Sequence, residues 1–92
     1  MIRTFAHKGL RRFYESGDRS RLSSDMAGRI AILLAALDEA STIKDLNRPS
    51  FRLHPLKGDL KGFWSVTVRA NWRIVFRLEE GDVWDVDFTD YH

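Results

Sequence analysis

The sequence predicts a small α+β domain in which an N-terminal strand and two helices pack on a mostly antiparallel sheet. Two patterns indicate this class. Apolar residues recur at helical spacing in the first half of the chain, and from residue 51 onward they recur with a period of two. Because 92 residues support only one hydrophobic core, we expect a single domain spanning residues 1–92.

The first segments predict a short strand followed by a helix. Ile2–Phe5 is expected to be the strand, and residues from about His7 to Ser16 are expected to be helical. The apolar face of this helix consists of Leu10, Phe13 and Tyr14. Gly17 is well placed to end the helix, because glycine adopts the left-handed conformation that closes many helices.

The second helix has the strongest periodic signal. Ser23 or Ser24 can cap it, and Asp25 falls in its first turn, where a negative charge is favourable. Its buried stripe is expected to consist of Met26, Ile30, Leu33, Leu34 and Leu37. A short helical turn over Thr42–Leu46 is predicted next, before Asn47-Arg48-Pro49 breaks the pattern.

Four alternating segments predict the strands of the sheet. Their apolar members are Phe51 and Leu53, then Trp64, Val66 and Val68, then Ile74, Phe76 and Leu78, and finally Trp84, Val86 and Phe88. Pro55 ends the first strand or places it at a sheet edge, because proline cannot donate a ladder hydrogen bond. A turn over residues 80–82 precedes the last strand.

The loop between the second and third of these strands decides which side chains face each other. A two-residue loop mixes apolar and basic residues on both faces, whereas a three-residue loop over residues 70–72 keeps the apolar set together. We therefore expect the longer loop, with Asn71 in the left-handed conformation. Arg69 then opposes Arg73, and this pair attracts an anion unless each arginine pairs with a carboxylate of the final strand.

Charge is distributed unevenly along the chain. Residues 1–77 contain all fifteen Lys and Arg and seven Asp and Glu, a net charge of +8, whereas residues 78–92 contain six carboxylates and no cation. A basic surface attracts polyanions such as nucleic acids, although a solvated mixed-charge surface is the alternative. Without cysteine, a signal segment or a long apolar run, we expect a cytoplasmic protein.

Acid–base groups and cations together provide what is needed to bind and break a phosphodiester. His54 and His92 are the natural proton carriers, because an imidazole changes charge near neutral pH. Lys57, Arg69 and Arg73 can grip a phosphate. In a regular final strand, Asp90 and His92 would face the core. We expect the strand to bend or fray after Phe88 and bring them towards the arginines. Three scattered histidines without cysteine do not favour a metal site.

Three segments resemble the host-inhibition-of-growth (HigB) toxins of the RelE/ParE superfamily. They are His54-Pro55-Leu56-Lys57-Gly58-Asp59, then Trp64-Ser65-Val66-Thr67-Val68-Arg69-Ala70-Asn71-Trp72-Arg73-Ile74, and the terminal Asp90-Tyr91-His92. Each motif alone is weak, but three in the same order with a matching C-terminus are specific. The resemblance extends over essentially the whole chain.

The resemblance implies a compact microbial-ribonuclease-like (RelE-like) fold and cleavage of mRNA in the A site of the 70S ribosome. It also implies a helix-turn-helix antitoxin (HigA-like), and operator DNA bound only through the toxin–antitoxin complex. No cofactor, metal or membrane is implied. The site residues that it implies are the catalytic His54, Asp90, Tyr91 and His92 and the RNA-binding Lys57, Arg69, Asn71 and Arg73.

Two other functions are compatible with parts of this pattern. A non-catalytic nucleic-acid-binding module would use the same basic face without needing the histidines. A ParE-like inhibitor of DNA gyrase would share the fold, but such relatives generally lack the basic and acid–base ensemble found in this chain.

Overall fold

The computed structural model describes residues 1–90 and has the predicted α+β class. Its two α-helices and four strands are α1 (Lys8–Ser16), α2 (Ser24–Glu39), β1 (His54–Pro55), β2 (Trp64–Arg69), β3 (Trp72–Glu79) and β4 (Asp82–Asp90). Three short 3₁₀ helices span Ile43–Leu46, Pro49–Phe51 and Gly58–Leu60. The strands form one antiparallel sheet in the order β1-β2-β3-β4.

Helix α1 begins and ends at residues whose chemistry fixes its length. The Nδ1 atom of His7 accepts a hydrogen bond from the Leu10 N–H at 3.1 Å, so His7 caps the helix. Gly17 ends it in the left-handed conformation, with φ 76°, as predicted. Gly9 is buried in the first turn, and a Cβ there would lie 2.9 Å from His7 Cε1.

Helix α2 contributes the largest part of the core. All five residues of its predicted stripe are buried, and Leu10 of α1 packs in the same cluster with Val66, Ile74 and Phe76 of the sheet. Because these residues come from both helices and the sheet, burial of their apolar surface holds the two layers together. None of the helices within residues 1–90 is long and apolar enough to cross a bilayer.

The N-terminal segment pairs with β4 less continuously than a full strand. Ile2 forms a parallel bridge with Val83, and Phe5 forms another with Val86. Between them, Asp85 adopts φ 56° and interrupts the ladder, and its N–H donates to Thr4 Oγ1 at 2.8 Å. The predicted strand is therefore a pair of bridges separated by a bulge in β4.

The predicted three-residue loop between β2 and β3 is wrong. Arg69 pairs with Trp72, so the loop has two residues, and Ala70 rather than Asn71 has positive φ, at 51°. Val68 is an extra residue between the pairs Thr67–Arg73 and Arg69–Trp72. This bulge restores the apolar face that a regular two-residue hairpin would lose. Arg69 and Arg73 therefore do not oppose each other.

The segment before His54 is not the predicted strand. Pro49–Phe51 forms a 3₁₀ turn, and Arg52 follows with φ 50°, so only His54 and Pro55 pair with β2. Phe51, at the end of this turn, is buried and packs in the core. The prediction that Pro55 lies at a sheet edge is confirmed.

The final strand also differs from the prediction. The bulge at Asp85 reverses the alternation, so Val83 and Val86 are buried while Trp84 pairs with Arg77 outside the core. The strand neither bends nor frays after Phe88: it remains paired through Asp90, which faces Trp72. Trp72 stabilises the pairing of residues 88–90, because its ring stacks on the ring of Phe88 with 4.8 Å between the two centroids.

Candidate active site

A basic cavity on the sheet joins two of the predicted site residues. It has a volume of about 400 Å³, and its lining consists of Arg52, Leu53, His54, Ser65 and Arg73. His54 faces Ser65 across β1 and β2, and Ser65 faces Val75, two residues after Arg73 on β3. Neighbouring strands are about 4.8 Å apart, so this register brings residues distant in sequence to one surface.

Arg73 is fixed by a neighbouring hydroxyl. Its Nη1 atom donates a hydrogen bond to Thr67 Oγ1 at 2.7 Å, and these two residues face each other on β3 and β2. Its Nε–H is buried and has no hydrogen-bond partner among residues 1–90. An arginine with one orienting contact and an unused donor is prepared to bind an anion.

Helix α2 holds the chain that leads into His54. The guanidinium of Arg29 donates to the carbonyl oxygen of Ser50 and, at 3.4 Å, to that of Thr67. It also lies 5.4 Å from the ring centroid of Phe51. Because these contacts join the 3₁₀ turn to β2, they fix the position from which Arg52, Leu53 and His54 enter the cavity.

Arg77, which continues the basic row of β3, is neutralised by carboxylates. Its Nε donates to Asp85 Oδ2 at 2.8 Å, and its Nη1 lies 2.6 Å from Glu79 Oε1. The hydrogen bonds that Arg77 donates to Asp85 and then to Glu79 raise the pKa of its guanidinium. The expected ion pair between an arginine and a carboxylate of the final strand therefore forms at Arg77. The described lining of the cavity, which includes Arg73, contains no carboxylate.

Three other predicted site residues lie outside the cavity lining. Lys57 is exposed immediately before the 3₁₀ helix Gly58–Leu60. Asn71 is exposed in the two-residue loop. Arg69 is 65% exposed and forms a 3.6 Å ion pair with Asp25 of α2, a surface contact that contributes about 1 kcal/mol or less.

The C-terminal group is only partly described. Asp90 is exposed at the end of β4 and faces Trp72, so it lies on the face of Phe88, opposite to that of Arg73. The expectation that a bend after Phe88 brings Asp90 towards the arginines is therefore wrong. Tyr91 and His92 lie outside the described residues. Within residues 1–90, no three His, Asp or Glu side chains cluster closely enough to hold a metal ion.

Arg52 and Ser65 line the cavity but were not among the predicted site residues. Ser65 carried a detectable signal, because it falls on the polar face of β2 with Thr67. Arg52 precedes His54 by two residues, but the alternating pattern assigned it to a regular strand. Its left-handed conformation could not be read from that pattern.

The family description "RelE-like toxin of type II toxin-antitoxin system HigB" matches residues 3–92. The chain belongs to this family of toxins. Two relatives agree with this membership. Endoribonuclease HigB of Proteus vulgaris is 48% identical over 92 residues, which is the full length of both chains. Toxin HigB-1 of Vibrio cholerae serotype O1 is 35% identical over 83 residues, covering 88% of this toxin and 87% of the relative.

Solved structures of more distant toxins share the fold. A chain of the YoeB–YefM complex from Staphylococcus aureus superposes with a TM-score of 0.63 at 17% identity, covering 100% of this toxin and 98% of that chain. The YoeB/ParE toxin from Agrobacterium tumefaciens gives a TM-score of 0.60 at 20% identity, covering 97% and 99%. At this level of identity the likeness extends to the backbone fold and carries no assignment of residues.

Proposed function

We propose that this toxin is an endoribonuclease that cleaves mRNA in the A site of the translating 70S ribosome. The observation that supports the proposal is a single cavity whose lining includes both His54 and Arg73. An imidazole can transfer protons near neutral pH, and a guanidinium can bind a phosphate through two parallel hydrogen bonds. Together they supply a proton carrier and a ligand for the phosphoryl oxygens, which suits cleavage of RNA without a metal ion.

The reaction uses the substrate's own hydroxyl as nucleophile. The 2′-oxygen attacks the adjacent phosphorus, forming the bond to the 2′-oxygen while the bond to the 5′-oxygen breaks. One group removes the 2′-hydroxyl proton and another protonates the departing 5′-oxygen. His54 supplies one of these transfers, and Arg73 stabilises the charge that develops on the non-bridging phosphoryl oxygens.

The remaining predicted residues have proposed roles around this centre. Lys57 and Arg69 contact phosphates of the flanking nucleotides, and Asn71 holds the loop that presents Arg69. An RNA phosphate can displace Asp25 from Arg69, because both side chains of that ion pair are largely exposed. The second proton transfer falls to the C-terminal group, in which His92 is the natural carrier and Asp90 either orients a histidine or acts as the base. Tyr91 either stacks on a base or hydrogen-bonds the phosphate.

The ribosome contributes what the cavity does not provide. Only His54 supplies an acid–base side chain within the described lining, so the toxin gains from a substrate that is already held in a reactive geometry. We propose that a helix-turn-helix antitoxin neutralises the toxin in the cytoplasm, and that operator DNA is bound only through their complex.

Mapping the cuts tests the proposal. Purified toxin is added to an mRNA held in translating ribosomes and to the same RNA alone, and the 5′ ends are located by primer extension. Discrete, codon-positioned cuts that require ribosomes are expected. Cuts on RNA alone would remove the ribosome from the mechanism. If the folded, growth-inhibiting toxin produces no cuts, the nuclease proposal fails, and inhibition of gyrase supercoiling becomes the assay to run.

A further inference from the structure

Arg52 and Ser65 lie with His54 and Arg73 in one cavity, and the fold does not account for their chemistry. We propose that they are substrate-binding residues which, with Arg73, hold the scissile phosphate beside His54. This inference rests on the proposed function and deepens it. It makes the cavity a site for one phosphate group and adds two residues that neither the sequence motifs nor the family resemblance assigns.

The backbone of Arg52 is held in an unfavourable conformation. Its φ is 50°, in the left-handed region that residues with a Cβ rarely adopt. Such conformations persist where the surrounding structure imposes them, and they cluster at functional sites. On one side the chain is anchored by the buried Phe51, and on the other it is paired through His54. The left-handed residue thus turns the chain from the core into the cavity.

Ser65 carries a hydroxyl whose burial costs stability unless a partner satisfies it. The residue is 1% exposed, and its Oγ has no hydrogen-bond partner among residues 1–90. A buried polar group in this state calls for a physical explanation. The Nε–H of Arg73 is in the same state, and both residues line the same cavity. Two unused donors at one cavity point to a ligand with several acceptor atoms.

A phosphate group matches the charge and the donors of this cavity. Arg52 and Arg73 provide two guanidinium groups, and the described lining contains no carboxylate that could neutralise them. Arg73 Nη1 is already oriented by Thr67, whereas its buried Nε–H has no partner among residues 1–90 and stays available as a donor. Phosphoryl oxygens accept hydrogen bonds from guanidinium and hydroxyl donors alike. The phosphate held there is the one that lies next to the His54 imidazole.

Replacing Ser65 by alanine separates a binding role from a structural one. Removing an unsatisfied buried hydroxyl leaves the stability of the protein unchanged or slightly higher. If the hydroxyl binds substrate, the single-turnover cleavage rate on ribosome-bound mRNA falls about fivefold in Ser65→Ala at unchanged or higher melting temperature. A Ser65→Ala protein that cleaves at the wild-type rate would overturn the role of Ser65.

For Arg52, the chain provides a matched control. Arg52→Gln removes one positive charge from the cavity, whereas Arg48→Gln removes one nearby from an exposed guanidinium that lies 5.0 Å from the Phe51 ring centroid and outside the cavity lining. The cleavage rate is expected to fall by about tenfold or more in Arg52→Gln and by about twofold or less in Arg48→Gln. Equal losses in the two variants would mean that only the overall charge matters, and would overturn the role of Arg52.

Binding of inorganic phosphate gives a readout that does not depend on nuclease activity. Millimolar phosphate, compared with chloride at the same ionic strength, should raise the melting temperature of the wild type and of Arg48→Gln. The increase should be smaller in Arg52→Gln and Ser65→Ala. If all four proteins respond equally, the phosphate pocket is refuted. If the response depends on Arg52 and Ser65 but the wild type cuts no RNA, the pocket stands and the nuclease proposal fails.

Discussion

Arg73 Nη1 donates a hydrogen bond to Thr67 Oγ1 over 2.7 Å, between two residues that face each other on β3 and β2. The contact exists because the bulge at Val68 shifts the register of the hairpin. In the three-residue loop expected from the hydrophobic pattern, Arg73 would instead face Arg69. A local irregularity in one strand thus converts a predicted pair of repelling cations into an arginine oriented by a neutral hydroxyl.

Thr67 is therefore expected to act as a positioning residue for Arg73. Thr67→Val keeps the shape of the side chain but removes the acceptor, so the single-turnover cleavage rate should fall about fivefold. Thr67→Ser retains the hydroxyl and should restore most of the rate. The loss should appear in the kcat for ribosome-bound mRNA, and the melting temperature of the protein should change little. A Thr67→Ser protein as slow as Thr67→Val would contradict a role for the hydroxyl.

Two glycines in helices should respond in opposite ways to alanine. Gly28 in α2 is exposed, and a Cβ there meets no atom within 4 Å, so Gly28→Ala should stabilise the protein by up to about 1 kcal/mol. In α1, a Cβ on Gly9 would lie 2.9 Å from His7 Cε1 and displace the helix cap. Gly9→Ala should destabilise by about 1–2 kcal/mol. Urea unfolding measures both changes, and a Gly9→Ala gain equal to that of Gly28→Ala would contradict the close packing at His7.

Tyr14 should ionise at unusually high pH. Its hydroxyl donates to Asp38 Oδ1 at 2.7 Å, and this hydrogen bond raises the pKa of Tyr14 to about 12 from its ordinary 10.0. Because the folded-state pKa is raised, the stabilisation is fully present below pH 10 and is lost as the pH rises towards about 12.

An ultraviolet titration measures this shift. The sequence contains two tyrosines, so Tyr91→Phe leaves Tyr14 as the reporter. Phenolate absorbance in that variant should have its midpoint near pH 12. Adding Asp38→Asn should move the midpoint back towards 10, because the negative charge is gone while the side-chain shape is kept. Identical midpoints in the two proteins would contradict the assignment of the shift to Asp38.

The two-residue loop predicts an opposite response of stability to two substitutions at Ala70. Alanine pays a steric cost at φ 51°, whereas asparagine tolerates the left-handed region better than other residues with a Cβ. Ala70→Asn should therefore stabilise the protein by about 0.5–1 kcal/mol, and Ala70→Val should destabilise it by at least as much. Denaturant unfolding checks both. A stabilising valine would mean that residue 70 is not left-handed.

The helices could be predicted because the spacing of their apolar residues and the residues at their ends indicate the same structure. The stripe of α2 repeats at one face over three turns, and Gly17 ends α1 by a conformation that glycine adopts at no steric cost. The positions of β2, β3 and β4 along the chain were predicted correctly, but the pairing of β2 with β3 was not, and the strand predicted at residues 51–53 is absent. A bulge leaves Val68 buried, so the pattern of apolar residues does not reveal that one residue has been added.

The site could be predicted in part for a similar reason. The motifs pointed to His54 and Arg73, and the order of β1, β2 and β3 brings both to one cavity. Arg52 was not predicted as a site residue because its place in the cavity depends on its own left-handed backbone conformation. An arginine in a sequence does not indicate that conformation, whereas a glycine often does. Asp90 was misplaced because continued pairing with Trp72 keeps it on the opposite face.

The central claim is that His54 and Arg73 act together on one phosphate, and a double-mutant cycle tests it most directly. Single-turnover cleavage of ribosome-bound mRNA is measured for the wild type, His54→Ala, Arg73→Gln and the double variant. Each single change should slow cleavage by about a hundredfold or more, and the double variant should be much faster than the product of the two losses predicts. Near-wild-type rates in either single variant, or losses that multiply as for independent sites, would contradict the account.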